Sequence, residues 1–378
     1  MRIAMLGQKR IPSREGGVEI VVEELSTRMV KKGHDVTCYN RSGKHALDKN
    51  EKINNLSNYK GVKLKKVLTI DKKGLAAMTS SFFATLKILF SKADIVHYHA
   101  EGPCTWLWII KFFSKKRIIV TIHGLDWQRA KWGGFATKYI KFGEKMAVKY
   151  ANEIIVLSRN VQNYFKDKYK RNTTFIQNGV NKPEIVFPNI IEKKYNLKKD
   201  NYILFLGRIV PEKGVHYLVE AFDNVRTNKK LVIAGGASDT NQYYIDLKTK
   251  AKNKNIIFTG FVKGKELDEL YSNSYIYCLP SDLEGMPLSL LEAMSYGNCC
   301  VTSNIDECSE VLENYGVTFK KSNVNDLAKV LQDLCDNEDK VKKYKRESQE
   351  FVLKKYNWDD ITNLTLDLYK SKYSKEVK

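Results

Sequence analysis

The chain has 378 residues, of which 43% are hydrophobic and 28% charged, and its formal net charge at pH 7 is +21. A chain of this length is longer than one ordinary hydrophobic core accommodates, which predicts two domains of roughly 150–200 residues each. Its apolar content excludes a disordered chain. The charge is uneven, since residues 1–200 hold 39 Lys and Arg against 17 Asp and Glu, whereas residues 201–378 hold 25 against 26. The basic half predicts an anionic partner, which is nucleic acid, an anionic membrane surface or a substrate that carries pyrophosphate.

The seven cysteines are odd in number, lie mostly within apolar runs and show no paired spacing of metal ligands. They predict buried thiols in a reducing compartment. The N-terminal residues 2–7 form a short strand that runs into a glycine turn, which is not the pattern of a signal peptide. No apolar run reaches the ~20 residues of a membrane-spanning helix. We therefore expect a cytoplasmic protein that is soluble or peripheral on the inner face of the plasma membrane.

Short β-rich runs alternate with helix-length amphipathic segments along the first half of the chain. This rhythm is typical of a parallel sheet with crossover helices. The predicted strands of this half are residues 3–7, 35–39, 62–67, 94–99, 118–123, 153–157 and 174–177.

The second half restarts the same alternation, which predicts an α/β fold with two doubly wound units in series. The join is expected near 183–200, where Pro183, Pro188 and a stretch rich in Lys and Asn interrupt the pattern. The predicted domains are 1–190 and 191–357, and an amphipathic helix at about 358–378 is free to pack back on the first domain. The strands predicted here are 202–207, 231–235, 256–260, 275–279, 299–303 and 317–319, with helices at 215–222 and 267–272.

Two cations follow the first strand of the second half. Gly207-Arg208 ends that strand, and Lys213-Gly214 follows a turn at Pro211. Open parallel sheets bind ligands at the carboxyl ends of their strands. A guanidinium holds phosphate oxygens with a planar fork, and an ammonium adds a mobile point charge. The pattern therefore favours a phosphate site, although a surface turn with an ion pair to Glu212 fits it equally well.

Two glutamates, Glu284 and Glu292, flank a glycine and a proline downstream of another apolar strand. Gly285 exposes backbone N–H groups, and Pro287 suits the first turn of a helix, whose N-terminus favours anions. Glu284 is placed to bind sugar hydroxyls and Glu292 to bind a ribose. In the alternative interpretation Glu284 caps the helix and Glu292 lies on a solvated face, but the apolar neighbours of Glu292 weaken that alternative.

The joint pattern of these motifs resembles the retaining nucleotide-sugar glycosyltransferases of family 4, which have the GT-B architecture of two Rossmann-like domains facing a cleft. The resemblance is carried by Gly207-Arg208…Lys213-Gly214 together with Glu284-Gly285-x-Pro287…Glu292-Ala293-Met294-x-x-Gly297. Three further segments are similar to the family's glycine-rich loop, a strand-ending glycine pair and the nucleotide-contacting turn, namely Gly16-Gly17-Val18-Glu19, Gly235-Gly236 and Gly260-Phe261-Val262. Val301 stands where the family often has a proline. The resemblance covers nearly the whole chain.

The resemblance implies a role for each matched residue. Arg208 and Lys213 would hold the donor diphosphate, Glu292 the ribose, and Glu284 the donor sugar. His123, in a strand-end position before a glycine, is similar to the family's histidine near the reacting sugar. The implied catalytic residues are Arg208, Lys213, His123 and Glu284, and the implied donor-binding residues are Gly16, Gly17, Gly207, Gly235, Phe261, Val262, Gly285, Met286, Pro287, Leu288 and Glu292.

A second polar cluster, formed by His97, His99 and Glu101, follows another predicted strand. Together with Glu19 and Asp126 these residues are candidates for the acceptor side of the cleft, and a purely structural role fits them equally well. No further ligands stand at a recognisable spacing, so no metal site is expected from the two histidines.

The resemblance implies a metal-independent hexosyl- or deoxyhexosyltransferase that needs no cofactor. Its donor would be a nucleotide-diphosphate sugar of UDP, GDP or dTDP type, and its acceptor a hydroxyl of a lipid-linked intermediate or a glycan, in the assembly of a bacterial capsule or another surface polysaccharide. Two alternatives are a nucleotide-sugar epimerase of the same architecture and a basic nucleic-acid-binding protein, although no nucleic-acid motif is recognisable. Docking on an anionic membrane is hypothesised for the basic and aromatic residues Trp106, Trp108, Phe112, Phe113, Lys115, Lys116 and Arg117.

Overall fold

The computed structural model describes residues 1–43, 55–72, 74–129, 133–237 and 241–371. The chain divides into two compact units, of which the first contains residues 1–178 together with the C-terminal segment from Trp358, and the second contains Gly179–Asn357. Residues 179–190, which the sequence assigned to the first domain, therefore belong to the second unit, because the bridge between Val180 and Asn357 ties this segment there. The last residues of the predicted C-terminal helix, 372–378, lie outside the described residues.

The first unit is built on a parallel sheet in the order β3-β4-β2-β1-β5-β6-β7-β8. Its central strands are buried along their whole length, which explains their continuous apolar sequence. The edge strand β3 is antiparallel to β4 and was not predicted, because two residues carry no periodic signal. The strands are β1 Arg2–Leu6, β2 Asp35–Arg41, β3 Asn58–Tyr59, β4 Val62–Val67, β5 Ile95–His99, β6 Arg117–Ile122, β7 Glu153–Val156 and β8 Thr174–Phe175.

Helices connect these strands and cover the sheet. Two short 3-10 turns, Gly102–Trp106 and Asp126–Gln128, follow β5 and β6. The α-helices described in this unit before the crossover to the second are α1 Gly17–Lys31, α2 Leu75–Leu89, α3 Leu107–Phe113, α4 Gly134–Tyr150 and α5 Arg159–Tyr169.

The second unit has a six-stranded parallel sheet among its described residues, in the order β11-β10-β9-β12-β13-β14. The strands are β9 Tyr202–Leu206, β10 Lys230–Ala234, β11 Ile256–Gly260, β12 Ile276–Leu279, β13 Cys299–Ser303 and β14 Val317–Phe319. The helices described are α6 Ile190–Tyr195, α7 Val215–Asp223, α8 Asn241–Lys250, α9 Lys265–Asn273, α10 Leu288–Ser295, α11 Asp306–Leu312, α12 Val324–Asp336 and α13 Glu338–Lys355. The predicted fold class, two doubly wound α/β units, is confirmed.

The C-terminal helix α14, Trp358–Lys370, returns to the first unit and packs on α1. Tyr369 is completely buried there. Arg28 forms an ion pair with Asp359 over 3.4 Å, and Arg117 donates a hydrogen bond to the carbonyl of Leu368 over 3.1 Å. This helix is therefore an integral part of the first unit, although it follows the second unit in sequence.

All seven cysteines are free thiols, and six of them are buried, as the sequence predicted. Burial raises the pKa of the Cys38 and Cys299 thiols to about 12, which keeps them protonated. Within the ranges that the structure describes, every helix is too short or too polar to cross a membrane.

Candidate functional site

In the second unit, the loops after neighbouring strands β9 and β10 lie against each other at the carboxyl edge of the sheet. The amide of Gly207 donates to the carbonyl of Ala234 over 3.0 Å, and the amide of Ile209 donates to that of Gly236 over 3.1 Å. Gly235 has a φ of +153°, and a Cβ there would lie 1.8 Å from the carbonyl oxygen of Gly207. A glycine is therefore required at 235 for the two loops to meet.

The turn that carries the two predicted cations is fixed against the loop that follows β12. Residues Pro211–Lys213 form a 3-10 turn, and Gly214 follows in the left-handed conformation with a φ of +64°. A Cβ on Gly214 would lie 2.0 Å from the carbonyl oxygen of Pro280. The amide of Asp282 donates to the carbonyl of Glu212 over 2.9 Å. These contacts bring the Arg208–Lys213 segment to the Glu284 segment.

Lys213 and Glu284, one from each predicted motif, form a shielded ion pair. Lys213 Nζ lies 2.5 Å from Glu284 Oε1, and the side chains are 14% and 8% exposed. Ser281 Oγ donates to the same carboxylate oxygen over 2.6 Å. Because both groups are largely removed from water, the attraction between them is stronger than that of a surface pair. The carboxylate of Glu284 and the ammonium of Lys213 therefore lie side by side in the site.

Glu292 lies in the helix α10, about one turn from its start. Pro287 immediately precedes this helix instead of forming its first turn, and its carbonyl accepts from the amides of Leu290 and Leu291. The Tyr271 hydroxyl lies 3.4 Å from Glu292 Oε2, within donating distance. Burial raises the pKa of Tyr271 well above its usual value, so the hydroxyl keeps its proton and remains a donor.

The other predicted donor-side residues surround this edge of the sheet. Phe261 is 59% exposed directly after β11, whereas Val262 and Met286 are buried. Arg208, Gly285 and Leu288 are half-buried, and Pro287 is buried. The second unit thus brings its predicted residues to the carboxyl ends of β9, β10, β11 and β12, where an open parallel sheet binds its ligands.

In the first unit, three histidines stack at the carboxyl ends of β5 and β6. His97 is completely buried, and its ring nitrogens lie 2.6 Å from the Tyr369 hydroxyl and 2.7 Å from the Thr121 hydroxyl. His99 Nδ1 lies 3.1 Å from His123 Nε2. His97 and His99 are completely buried and therefore inaccessible to a substrate, whereas His123 is 9% exposed to solvent. Of the three, His123 alone meets the requirement for contact with a ligand.

Burial keeps these histidines neutral. Desolvation lowers the pKa of His97 to about 3 and that of His123 to about 4, and it also holds the pKa of His99 well below 6.5. A neutral imidazole has one N–H donor and one acceptor nitrogen. The hydrogen bond between His99 and His123 therefore requires one ring to donate and the other to accept.

A buried pair of carboxyl groups holds the segment that follows His123. The amide of Asp126 donates to Glu101 Oε2 over 3.0 Å. Glu144, from α4, accepts from Trp127 Nε1 over 3.0 Å and from the Tyr164 hydroxyl over 2.9 Å. Burial and the neighbouring carboxylates raise the pKa of Glu101 well above 4.5, so Glu101 is the member of this pair that holds a proton. Both glutamates are completely buried, which makes them structural groups rather than acceptor ligands.

The glycine-rich segment at the start of α1 is also organised internally. Glu19 Oε1 accepts from the amide of Lys9 over 2.8 Å. A Cβ on Gly16 would lie 2.2 Å from Glu19 Oε2, so Gly16 makes room for that carboxylate, and Gly17 is the first residue of the helix. Asp126, the remaining acceptor-side candidate, forms an ion pair with Arg129 over 3.0 Å. The predicted acceptor-side carboxylates therefore all have structural partners.

The sequence pattern did not predict three contributors to these sites: Ser281, Tyr271 and Glu144. Ser281 and Tyr271 contact the two predicted glutamates, and Glu144 joins Glu101 from a helix that is distant in sequence. Such pairings depend on tertiary packing.

Two family models match the chain, one in each half. Residues 15–182 match Glycosyltransferase Family 4, and residues 187–351 match the Glycosyl transferases group 1. Together the two matches span most of the sequence, in the order in which the two units occur.

Relatives of similar length support the same family. An uncharacterized glycosyltransferase of Methanocaldococcus jannaschii is 28% identical, with 98% of each chain covered. The α-maltose-1-phosphate synthase of Mycobacterium tuberculosis is 23% identical, with 98% of this chain and 99% of that protein covered. The O-antigen chain mannosyltransferase RfbU of Salmonella typhimurium is 29% identical, but over only 54% of this chain and 61% of its own length.

Solved structures share the fold at low sequence identity. The sucrose-phosphate synthase of Thermosynechococcus elongatus has a TM-score of 0.83 and 18% identity, with 99% of each chain covered. HepE of Anabaena, solved in complex with UDP and glucose, has a TM-score of 0.79 and 14% identity, with 98% of this chain and 99% of that chain covered. The chain therefore belongs to the glycosyltransferases of GT-B architecture, with a family 4 match in its first half and a group 1 match in its second.

Proposed function

We propose that this glycosyltransferase moves a hexosyl or deoxyhexosyl group, with retention of configuration, from a nucleotide-diphosphate sugar to a hydroxyl of a lipid-linked or glycan acceptor. The observation that carries the proposal is the shielded pair of Lys213 and Glu284 at the carboxyl edge of the second sheet. An ammonium binds phosphate oxygens and a carboxylate accepts hydrogen bonds from hydroxyl groups. The two side by side therefore suit a ligand that carries both phosphate and hydroxyl groups. The UDP complex of HepE and the name of the O-antigen mannosyltransferase support a nucleotide-sugar donor and a role in polysaccharide biosynthesis.

When the donor binds, Lys213 and Glu284 each replace the other with a group of the donor. The diphosphate takes Lys213, with Arg208 as the second cation, while Glu284 accepts hydrogen bonds from the sugar hydroxyls and keeps that of Ser281. Glu292, oriented by Tyr271, accepts from the ribose hydroxyls. The cations then face the charge that develops on the leaving phosphate, which is where preorganised electrostatic groups act most strongly.

The transfer step breaks the bond between the anomeric carbon and the phosphate oxygen and forms a bond from that carbon to the acceptor oxygen on the same face. The proton of the acceptor hydroxyl passes to the leaving phosphate, so that no protein nucleophile is required. The cations carry the electrostatic role that a metal ion has in other phosphate sites. Activity is therefore expected to survive treatment with EDTA.

A donor panel tests this proposal. The purified chain is heated with UDP-, GDP- and dTDP-linked hexoses and deoxyhexoses, and the donor that stabilises it is incubated with glycan and lipid-linked acceptors. We expect one nucleotide class to raise the melting temperature and the NMR coupling constant of the product to show the anomeric configuration of the donor. An inverted product would contradict retention, and an epimerised sugar formed without acceptor would identify an epimerase instead.

We also propose that the first unit docks on the anionic inner face of the plasma membrane. Phe112 and Phe113 at the end of α3, and Phe90 after α2, are 63%, 68% and 85% exposed. Lys116 Nζ donates to the carbonyl of Ser91 over 2.7 Å, which joins the turns that carry these rings. Arg117 is excluded from this surface, because it is buried and pairs with Glu153.

Vesicle sedimentation tests the docking surface. Wild-type protein is expected to sediment with vesicles that contain phosphatidylglycerol and not with neutral vesicles, because each basic residue near an anionic surface contributes about 1 kcal/mol. The double variant Phe112→Ser/Phe113→Ser is expected to lose this binding. Binding that is independent of anionic lipid would contradict the proposal.

A further inference from the structure

Arg41 ends β2 at the carboxyl edge of the first sheet, beside the segment that follows β1. Its amide donates to the carbonyl of Lys9 over 2.7 Å, and its Nη2 donates to the carbonyl of Gly7 over 3.3 Å. The backbone and the guanidinium are therefore both fixed to the loop that leads to the glycine-rich segment.

This guanidinium has no acidic partner at ion-pair distance among the residues that the structure describes. Two buried arginines of the first unit differ in this respect: Arg10 pairs with Glu15 over 2.9 Å, and Arg117 pairs with Glu153 over 3.3 Å. Burial lowers the pKa of Arg41, and the nearby charge of Glu19 opposes that shift without forming an ion pair. Arg41 is half-buried, and a partly shielded cation without a bound counter-ion at the edge of a sheet is typical of sites that bind anions.

The position of Arg41 connects it to the strand ends that carry His123. Gly7 has a φ of +119°, and a Cβ there would lie 2.1 Å from the carbonyl oxygen of His99. The ring of His99 in turn contacts His123 over 3.1 Å. Arg41, through Gly7, thus lies at the same edge of the sheet as the accessible histidine, where ligands of a doubly wound unit bind.

We propose that Arg41 is an anion-binding residue of the first unit and that it holds a phosphate or pyrophosphate group of the acceptor substrate. The planar guanidinium matches two phosphate oxygens, and the contacts described use one of its N–H groups. This inference rests on the proposed transfer reaction for the identity of the substrate. The anion site itself rests only on the geometry of Arg41.

Inorganic pyrophosphate probes this site in the full-length chain. The donor site is first disabled with the double variant Arg208→Ala/Lys213→Ala, and melting temperatures are recorded at constant ionic strength. We expect pyrophosphate to raise the melting temperature of this variant by about 2 °C or more at saturation. The added substitution Arg41→Gln is expected to abolish that shift, Arg41→Lys to retain part of it, and Arg14→Gln, at an exposed neighbouring arginine, to leave it unchanged.

Failure of the two proposals is distinguishable. The absence of a pyrophosphate shift in the double variant, or a shift that survives Arg41→Gln, overturns the anion site. If no nucleotide sugar stabilises wild-type protein while the shift at Arg41 is found, the donor proposal fails instead. Sedimentation with phosphatidylglycerol vesicles separates a lipid headgroup from an acceptor phosphate, because weaker sedimentation of Arg41→Gln would overturn the acceptor assignment.

Discussion

At the scale of single residues, the proposed donor site depends on the ion pair between Lys213 and Glu284. In the free protein each group satisfies the other, and Ser281 adds a hydrogen bond to the carboxylate. A diphosphate must therefore compete with Glu284 for Lys213. The pair also keeps both side chains in place without a ligand, which reduces the entropy lost on binding.

This competition predicts an unusual response to Glu284→Gln. The neutral amide releases Lys213, so we expect the Kd of the free nucleoside diphosphate to fall by about threefold or more, while kcat for sugar transfer falls by about 10²-fold. Calorimetric titration and initial rates measure the two effects. Ser281→Ala, which leaves the charge of Glu284 intact, is the matched control, and weaker nucleoside diphosphate binding by Glu284→Gln would contradict the exchange of partners.

The hydrogen bond between His99 and His123 predicts a second residue-level effect. His99 Nε2 is buried with no hydrogen-bond partner in the described structure. A buried N–H without an acceptor is rare, so His99 Nδ1 is expected to carry the proton and donate to His123 Nε2. Neutral His123 is then expected to carry its own proton on Nδ1, which would serve as a donor in the proposed transfer reaction.

Two substitutions at His99 separate this tautomer effect from packing. His99→Asn places an amide donor near the position of Nδ1 and is expected to retain kcat within about threefold, whereas His99→Leu should lower kcat by at least about tenfold. The ¹⁵N shifts of His123 report its tautomer directly. Equal kcat values in the two folded variants, or a proton on Nε2 of His123 in wild-type protein, would contradict the assignment.

At the scale of secondary-structure elements, the ends of β5 and β6 make the first unit sensitive to acid. The pKa values of His97 and His123 fall to about 3 and about 4 in the folded chain, below the usual 6.5. Their neutral state contributes stability that is complete above pH 6.5 and is lost as the pH falls towards the folded pKa values. The unfolded chain binds these protons first.

We therefore expect the free energy of unfolding to decline as the pH falls from 6.5 to about 4.5. Each histidine contributes a slope of about 1.4 kcal/mol per pH unit. Urea unfolding of wild-type protein and His123→Asn measures the difference, and the variant should decline less steeply by the slope of one group. Parallel pH profiles would show that His123 is not held neutral by the fold.

The helix α14 is the element whose packing partner the sequence pattern did not identify. Its contacts with the first unit centre on the buried Tyr369, whose hydroxyl lies beside His97. Tyr369→Phe is expected to cost about 1 kcal/mol, for one lost hydrogen bond, and Tyr369→Ala about 3–5 kcal/mol, for the cavity. Equilibrium unfolding measures both, and similar costs for the two variants would contradict tight packing of this helix.

The same elements show how much of the fold the sequence predicts. β4, β11, β13 and β14 have the predicted bounds. β11, β13 and β14 are short, largely apolar runs between turn residues, whereas β4 has lysines between its apolar positions and lies near the edge of the sheet. Packing of the C-terminal helix on the first domain was one of the expectations, and α14 lies there. Its neighbour α1 was not predictable, because an amphipathic pattern shows which face is buried and not what covers it.

At the scale of the whole molecule, the donor-side residues predicted in the second unit gather at one edge of its sheet, whereas Gly16 and Gly17, also predicted to bind the donor, lie at the start of α1 in the first unit. Short motifs after strands could be placed from the sequence, because parallel strands deliver their carboxyl ends to one edge. His97, Glu101 and Glu19 were candidates by the same rule, but they are buried with structural partners. A position at the end of a strand predicts that a side chain lies near the edge of the sheet where ligands bind. It does not predict whether that side chain already has a hydrogen-bond partner within the protein.

The binding of a nucleotide sugar at Lys213 is the central claim, and one titration tests it most directly. Wild-type protein and Lys213→Ala are titrated in a calorimeter with UDP-, GDP- and dTDP-linked sugars, after circular dichroism has shown that both are folded. We predict that one nucleotide class binds wild-type protein and that its Kd rises at least about tenfold in Lys213→Ala, since the lost contact joins a cation to phosphate. Equal Kd values in the two proteins, or no binding of any nucleotide sugar to wild-type protein, would contradict the account.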